Sequence, residues 1–88
     1  MKAFMTHQTA EKVAHDIYPE LTERQAVCVY LTSLVGMTVT ASTLGISVKT
    51  VREHLERAKE RLDFNSQTEL RLTTLIRLVS MNNQAYAI

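Results

Sequence analysis

The stretch Ala41-Ser42-Thr43-Leu44-Gly45-Ile46-Ser47-Val48-Lys49-Thr50-Val51-Arg52-Glu53-His54-Leu55 decides the fold. A short apolar run ends in Leu44-Gly45, the chain turns through Gly45-Ile46-Ser47, and a mixed-charge run begins at Ser47. Glycine adopts the left-handed backbone of a sharp turn without penalty, and a serine ahead of a helix can accept from the amides of Lys49 or Thr50. Val48, Val51, Leu55, Ala58 and Leu62 recur at steps of three and four, which makes one narrow apolar stripe on a helix. Ala41 is small enough to let that helix approach the shorter one. Short helix, tight turn and longer charged helix together form the pattern of a helix-turn-helix. With Val51 and Leu55 pinned to a core, Lys49, Arg52, Glu53 and Glu56 project outward, where side chains can meet base edges in a major groove.

Helical spacing continues on both sides. Ala10, Val13, Ala14 and Ile17 form a stripe on a helix from about Thr6, which Pro19 stops at Tyr18; Phe4 and Met5 are its first turn or an arm. Thr22 followed by Gln25 is a capping box that opens a helix with Ala26, Val27, Tyr30, Leu31 and Leu34 on one face. Gly36 is placed to end it, after Val35, in a left-handed conformation, and Thr38 to cap a short helix from Val39 to Leu44. Ser66 and Glu69 make a second capping box, after which a final helix runs to about Ser80. Its face Leu72, Leu75, Ile76 and Val79 has helical spacing, while Leu70, Leu78 and Met81 lie off it. One small core cannot take both faces, so one packs inside and the other meets a second subunit, unless the first helix covers it.

The chain has 88 residues, 45% of them apolar and 22% charged, which is room for one modest core and is not the composition of a disordered chain. No apolar run reaches the ~20 residues that cross a bilayer. One cysteine, Cys28, cannot close an internal disulfide and reads as a small core residue. His54 has no His-Glu-x-x-His partner, since His7 and His15 lie on another segment, so no metal or cofactor is expected. No paired carboxylates in a cleft suggest catalysis. The net charge is +1, but residues 45–61 hold Lys49, Arg52, Arg57, Lys59 and Arg61 against Glu53, Glu56 and Glu60, which puts the positive excess on the second helix of the motif.

Leu21-Thr22-x-Arg24-Gln25, then Ala41-x-x-Leu44-Gly45-Ile46-Ser47-x-Lys49-Thr50-Val51-Arg52-x-His54-Leu55, then Arg61-Leu62 and Ser66-x-Thr68, resemble the LuxR/FixJ-type DNA-binding domain over residues 21–78. The resemblance implies a four-helix bundle that binds DNA as a dimer, often through its last helix. It implies that Arg52 contacts DNA, that Glu53 stands at a variable position meeting bases, and that Lys49, Thr50 and His54 contact the backbone or position the helix. The chain differs from the pattern at Thr40, where a buried Ile is usual, at Glu56, where Lys is common, and in a span one residue shorter before Leu44. Twenty residues precede Leu21, too few for the family's usual receiver or ligand-sensing domain, unless the chain is a piece of a longer one.

Leu21-Thr22-Glu23-Arg24-Gln25 with Gly36-Met37-Thr38 also resembles the promoter-reading region of sigma factors, ranked lower because the helix after Thr38 is two residues too short. The expected architecture is all-α: a helix-turn-helix four-helix bundle with one additional N-terminal helix. Residues 1–19 form an arm and helix, residues 20–82 the domain and residues 83–88 a frayed tail. The expected function is that of a non-enzymatic, cytoplasmic transcriptional regulator binding double-stranded DNA as a homodimer, with no membrane partner. Lys49, Thr50, Arg52, Glu53, His54 and Arg57 are its DNA contacts, and Leu72, Leu75, Ile76 and Val79 its dimer interface. The rival function, motivated by the acidic residues on the reading face, is an adaptor that binds RNA polymerase or another regulator through its helices.

Overall fold

The computed structural model describes the backbone of residues 7–86 and the side chains of residues 9–81. Phe4 and Met5 lie outside the described residues. The order is α1 (His7–Ile17), α2 (Glu23–Leu44), α3 (Val48–Leu62) and α4 (Gln67–Tyr86), with no strand among the described residues. The hub is α2: α1, α3 and α4 all pack on it, and α1 and α3 touch α4 only lightly. Because α2 is broken at Gly36, the described residues form five helical pieces, an N-terminal helix followed by four.

Local chemistry explains most boundaries. α1 buries Ala10, Ala14 and Ile17 and stops before Pro19. At the head of α2 the Gln25 amide donates to Thr22 Oγ1 at 3.2 Å, and Gln25 Oε1 accepts from the Thr22 amide at 3.2 Å, the box expected from the sequence. Gly45 is left-handed (φ 70°, ψ 34°), and the Ile46 amide closes the end of α2 by donating to the Ala41 carbonyl at 3.0 Å. Ser47 Oγ then accepts from the Thr50 amide at 3.0 Å and starts α3. The second box is skewed: Glu69 donates its amide to Ser66 Oγ, but its carboxylate reaches past Ser66 to accept from the Asn65 amide at 2.6 Å.

Gly36 departs from expectation. Its φ of 87° is positive, but ψ is 168°, so it occupies the glycine-only extended region and not the left-handed helical one. Helical geometry resumes at Met37, which places Thr38 inside a helix and not at its cap. Thr40 holds the bend: its hydroxyl is fully buried and donates to the Gly36 carbonyl at 2.8 Å. This explains a threonine where an isoleucine is usual. The bend also lifts Leu34 and Val35 out of the core; they are 44% and 49% exposed, contrary to the continuous stripe expected.

By length and composition α2 is apolar enough to cross a membrane, with mean hydropathy 1.6, which corrects the expectation that no such run exists. The run is uncharged from Gln25 to Val48. It owes its character to position: Ala26 through Leu31 all face into the bundle, and Gly36 breaks the helix in the middle. Cys28 is fully buried there, and burial pushes its thiol up to about 11, as befits a core residue.

The last helix runs to Tyr86, beyond the expected end near Ser80 and through most of the expected frayed tail; residues 87–88 lie outside the described ones. Its inner face carries Leu70 and Thr74, both buried, with Leu78 and Met81 packed against the core. At 100° per residue, Leu72, Leu75, Ile76 and Val79 fall on the opposite side. They are 53%, 37%, 65% and 57% exposed, and α1 does not cover them.

Candidate nucleic-acid interface

Residues 37–44, the Gly45-Ile46-Ser47 turn and α3 form the helix-turn-helix. Val51, Leu55 and Ala58 are each 2% exposed or less and hold α3 against α2, while Leu62 packs at the margin. The opposite side of α3 is therefore turned to solvent. Lys49, Arg52, Glu53 and Arg57 are exposed, whereas Thr50 and His54 are half-buried. Lys49, Arg52, Glu53, Glu56, Arg57 and Glu60 line one shallow, open surface.

Within that surface the charges are ordered. Lys49, Glu53, Glu56 and Glu60 follow one another at steps of four, three and four, so they form the crest of the helix. Arg52 flanks the crest on one side and Arg57 on the other. The crest is thus cationic at the N-terminal end, the end that contacts bases in such motifs, and acidic further on. Lys59 Nζ lies 2.9 Å from Glu56 Oε2 and neutralises part of the acidic end, as the sequence suggested. Glu53 and Arg57, one turn apart, close no ion pair, which leaves both free to meet a ligand.

Thr50 is occupied locally: besides the capped amide, its hydroxyl lies 2.9 Å from Ser47 Oγ, in a bond either can donate. Its contribution is to fix the start of α3. The half-buried His54 imidazole is held below its ordinary pKa, first by burial and then by the charges of Arg24 and Arg57, against a smaller opposite pull from Glu53. Arg57 also faces the head of α2 across an open cleft of about 550 Å³, shared with Thr22, Gln25, Glu60 and Arg61. Arg24 on α2 and Lys59 and Arg61 on α3 are basic residues that spacing within the motif did not select as contacts. Arg24 was visible only as part of Leu-Thr-x-Arg, because the bearing of its charge on His54 depends on how α2 packs on α3.

Chemically this surface can fork onto guanine, accept from cytosine and neutralise phosphate. Among the described residues no three His, Cys, Asp or Glu side chains gather as metal ligands. Residues 14–62 match the family described as Sigma-70, region 4, a span running from the last turn of α1 through the whole of α3. Nothing matches among curated proteins or among solved structures. The helix-turn-helix is common to this family and to LuxR-type domains, but the family matched is the sigma one, not LuxR/FixJ. The shortfall that counted against it is met by the bend, since the first helix of the motif begins at Met37 and not at Val39. With more than half of its length matched and the motif in place, the chain belongs to the Sigma-70 region 4 family of non-catalytic, DNA-binding helix-turn-helix domains.

Proposed function

We propose that this protein is a sequence-specific transcriptional regulator that binds double-stranded DNA as a homodimer, in the cytoplasm, with α3 in the major groove. The reading rests above all on the outward presentation of Lys49, Arg52 and Glu53 at the N-terminal end of α3, propped from behind by Val51 and Leu55. Arg52 forks onto guanine O6 and N7, and Glu53 accepts from cytosine N4. Lys49 and Arg57 neutralise phosphate, and Thr50 and His54 set the depth of the helix. The second copy docks on the outer stripe of α4, Leu72, Leu75, Ile76 and Val79, which lies beyond the matched residues 14–62. A two-fold dimer of this kind reads half-sites about 34 Å apart, or a multiple of that.

A second reading is favoured by one observation: the crest carries Glu53, Glu56 and Glu60, and no charge stands between Gln25 and Val48. An adaptor that binds RNA polymerase or another regulator needs no cationic surface. Duplexes selected from a random pool, then titrated by fluorescence anisotropy across a salt series, separate the two. Phosphate contacts make log affinity fall steeply with log salt. A shallow slope, or no binding at low salt beside a tight protein complex, decides for the adaptor.

A further inference from the structure

Where α2, α3 and α4 meet, they leave a half-closed cavity of about 200 Å³. Val29 of α2, Leu55 of α3 and Leu70 of α4, each 2% exposed or less, form its floor. On the α2 wall the residues are small, which leaves the space, and their hydroxyls are spent inside the protein. Ser33 Oγ donates to the Val29 carbonyl at 2.7 Å, and Thr32 Oγ1 points its proton at Thr40 Oγ1, 3.5 Å away. Floor and α2 wall therefore ask for no polar partner. The α4 wall is different. Gln67, Thr68 and Arg71 are exposed there, and among the described residues none of their side chains makes a hydrogen bond or an ion pair.

The charge on this cavity is of one sign. Carboxylates line the clefts beside Arg57 (Glu20 and Glu60), Arg24 (Glu11 and Glu23) and Arg77 (Asp16 and Glu20). None lines this one, where Arg71 is the single charged residue. The carboxylate of α4, Glu69, is taken up by the Asn65 amide at 2.6 Å. Arg71 thus stands at the edge of an apolar floor with no counter-charge from the described residues. A guanidinium in that position offers an anion a forked, charge-assisted pair beside a wall of low polarity, where the attraction exceeds that in open water.

We propose that this cavity is a binding site for a small apolar monocarboxylate. The hydrocarbon body lies on Val29, Leu55 and Leu70, and the carboxylate pairs with Arg71, with Gln67 and Thr68 as further donors at the mouth. An apolar cavity of ~150 Å³ takes one benzene ring, so the space here admits a ring or a chain of about six carbons with its head group outside. Uncharged molecules of that shape forgo the ion pair, and larger acids exceed the space. The site goes beyond the DNA-binding reading and does not depend on it, since its lining residues are separate from Lys49, Arg52, Glu53 and Arg57. A molecule held there touches α2, α3 and α4 at once, so occupancy stabilises the fold by mass action.

The test is an amide and methyl NMR titration of the full chain with sodium benzoate at pH 7 and constant ionic strength, with benzamide as the uncharged molecule of the same shape. Benzoate should saturate at concentrations on the order of a millimolar or below. Ring protons of the bound benzoate should show contacts to the methyl groups of Val29, Leu55 and Leu70. Benzamide should bind about tenfold more weakly or worse, and Arg71→Gln should bring benzoate down to the level of benzamide without changing benzamide itself. Thermal melts confirm that the variant is folded, and the wild-type melting temperature should rise with benzoate and not with the same concentration of chloride. Ring-to-methyl contacts in the wild type decide the case in which Arg71→Gln fails to fold. Absence of saturation up to about 10 mM, well above the range expected of so small a ligand, overturns the site. So do ring contacts that fall elsewhere on the surface, or benzoate binding that a folded Arg71→Gln leaves intact. None of these outcomes bears on the DNA reading, which Arg52→Ala tests separately.

Discussion

The guanidinium of Arg77 lies over the ring of Tyr18, its carbon 4.8 Å from the ring centre, and reaches past the ring to both carboxylate oxygens of Glu20, at 3.0 and 2.9 Å. The same group donates to the Ile17 carbonyl at 2.7 Å. Beneath it, the fully buried Tyr18 hydroxyl donates to the Leu70 carbonyl at 3.2 Å and lies 2.8 Å from Thr74 Oγ1. These contacts clamp the corner between α1 and α2 onto α4. They set where the outer stripe of α4 stands relative to the helix-turn-helix.

Arg77→Ala should destabilise the fold by about 1–2 kcal/mol, from a partly exposed ion pair, a ring contact and one hydrogen bond, each worth about 1 kcal/mol or less. Urea denaturation measures it. Arg77 holds the Glu20 carboxyl below its ordinary value. A lowered carboxylate contributes stability that is complete above its unfolded pKa and disappears as pH falls through the folded one. Wild type should therefore lose the ion-pair part of its advantage over Arg77→Ala as pH falls below about 4.5, while the ring contact and the hydrogen bond to the Ile17 carbonyl persist.

Gly36 and Gly45 both have positive φ, and a methyl group at either would meet nothing within 4 Å, so any cost of alanine there is backbone strain alone. Gly36→Ala should cost about 1–3 kcal/mol, because its extended positive-φ region is closed to other residues. Gly45→Asn should cost only a few tenths, since asparagine tolerates the left-handed helical region. Denaturation midpoints of the two variants, compared in one buffer, check the order.

The outer stripe of α4 contributes little to the monomer. Ile76→Asp should leave the melting temperature of the dilute protein within a few degrees of wild type. In sedimentation it should convert a dimer to a monomer. A wild-type protein that stays monomeric at high micromolar concentration contradicts the dimer.

Caps and turns were legible because each depends on residues three or four apart: Thr22 with Gln25, Ser47 with Thr50, and Gly45 after Leu44. The two-sided character of α4 was legible for the same reason, since one rotation of 100° per residue separates Leu70 and Thr74 from Leu72 and Ile76. What periodicity did not reveal depends on chain crossings. Arg77 and Glu20 are 57 residues apart, and nothing local marks them as partners. The charge of Arg24 bears on His54 only because α3 packs on α2. Gly36 was recognisable as a break, but its ψ of 168° and the immediate return to helix follow from Thr40 closing on its carbonyl. The six residues chosen on α3 do share a helix, though Thr50 is spent on the cap and His54 faces sideways toward α2.

The central claim is that the N-terminal crest of α3 reads bases. Anisotropy titration of Arg52→Ala against the selected duplex and against single-base variants of it tests this most directly. The account predicts an affinity loss of about 1–3 kcal/mol on the selected site, relaxed preference at one guanine, and an unchanged thermal melt. Wild-type affinity and wild-type preference in a folded Arg52→Ala protein would contradict it.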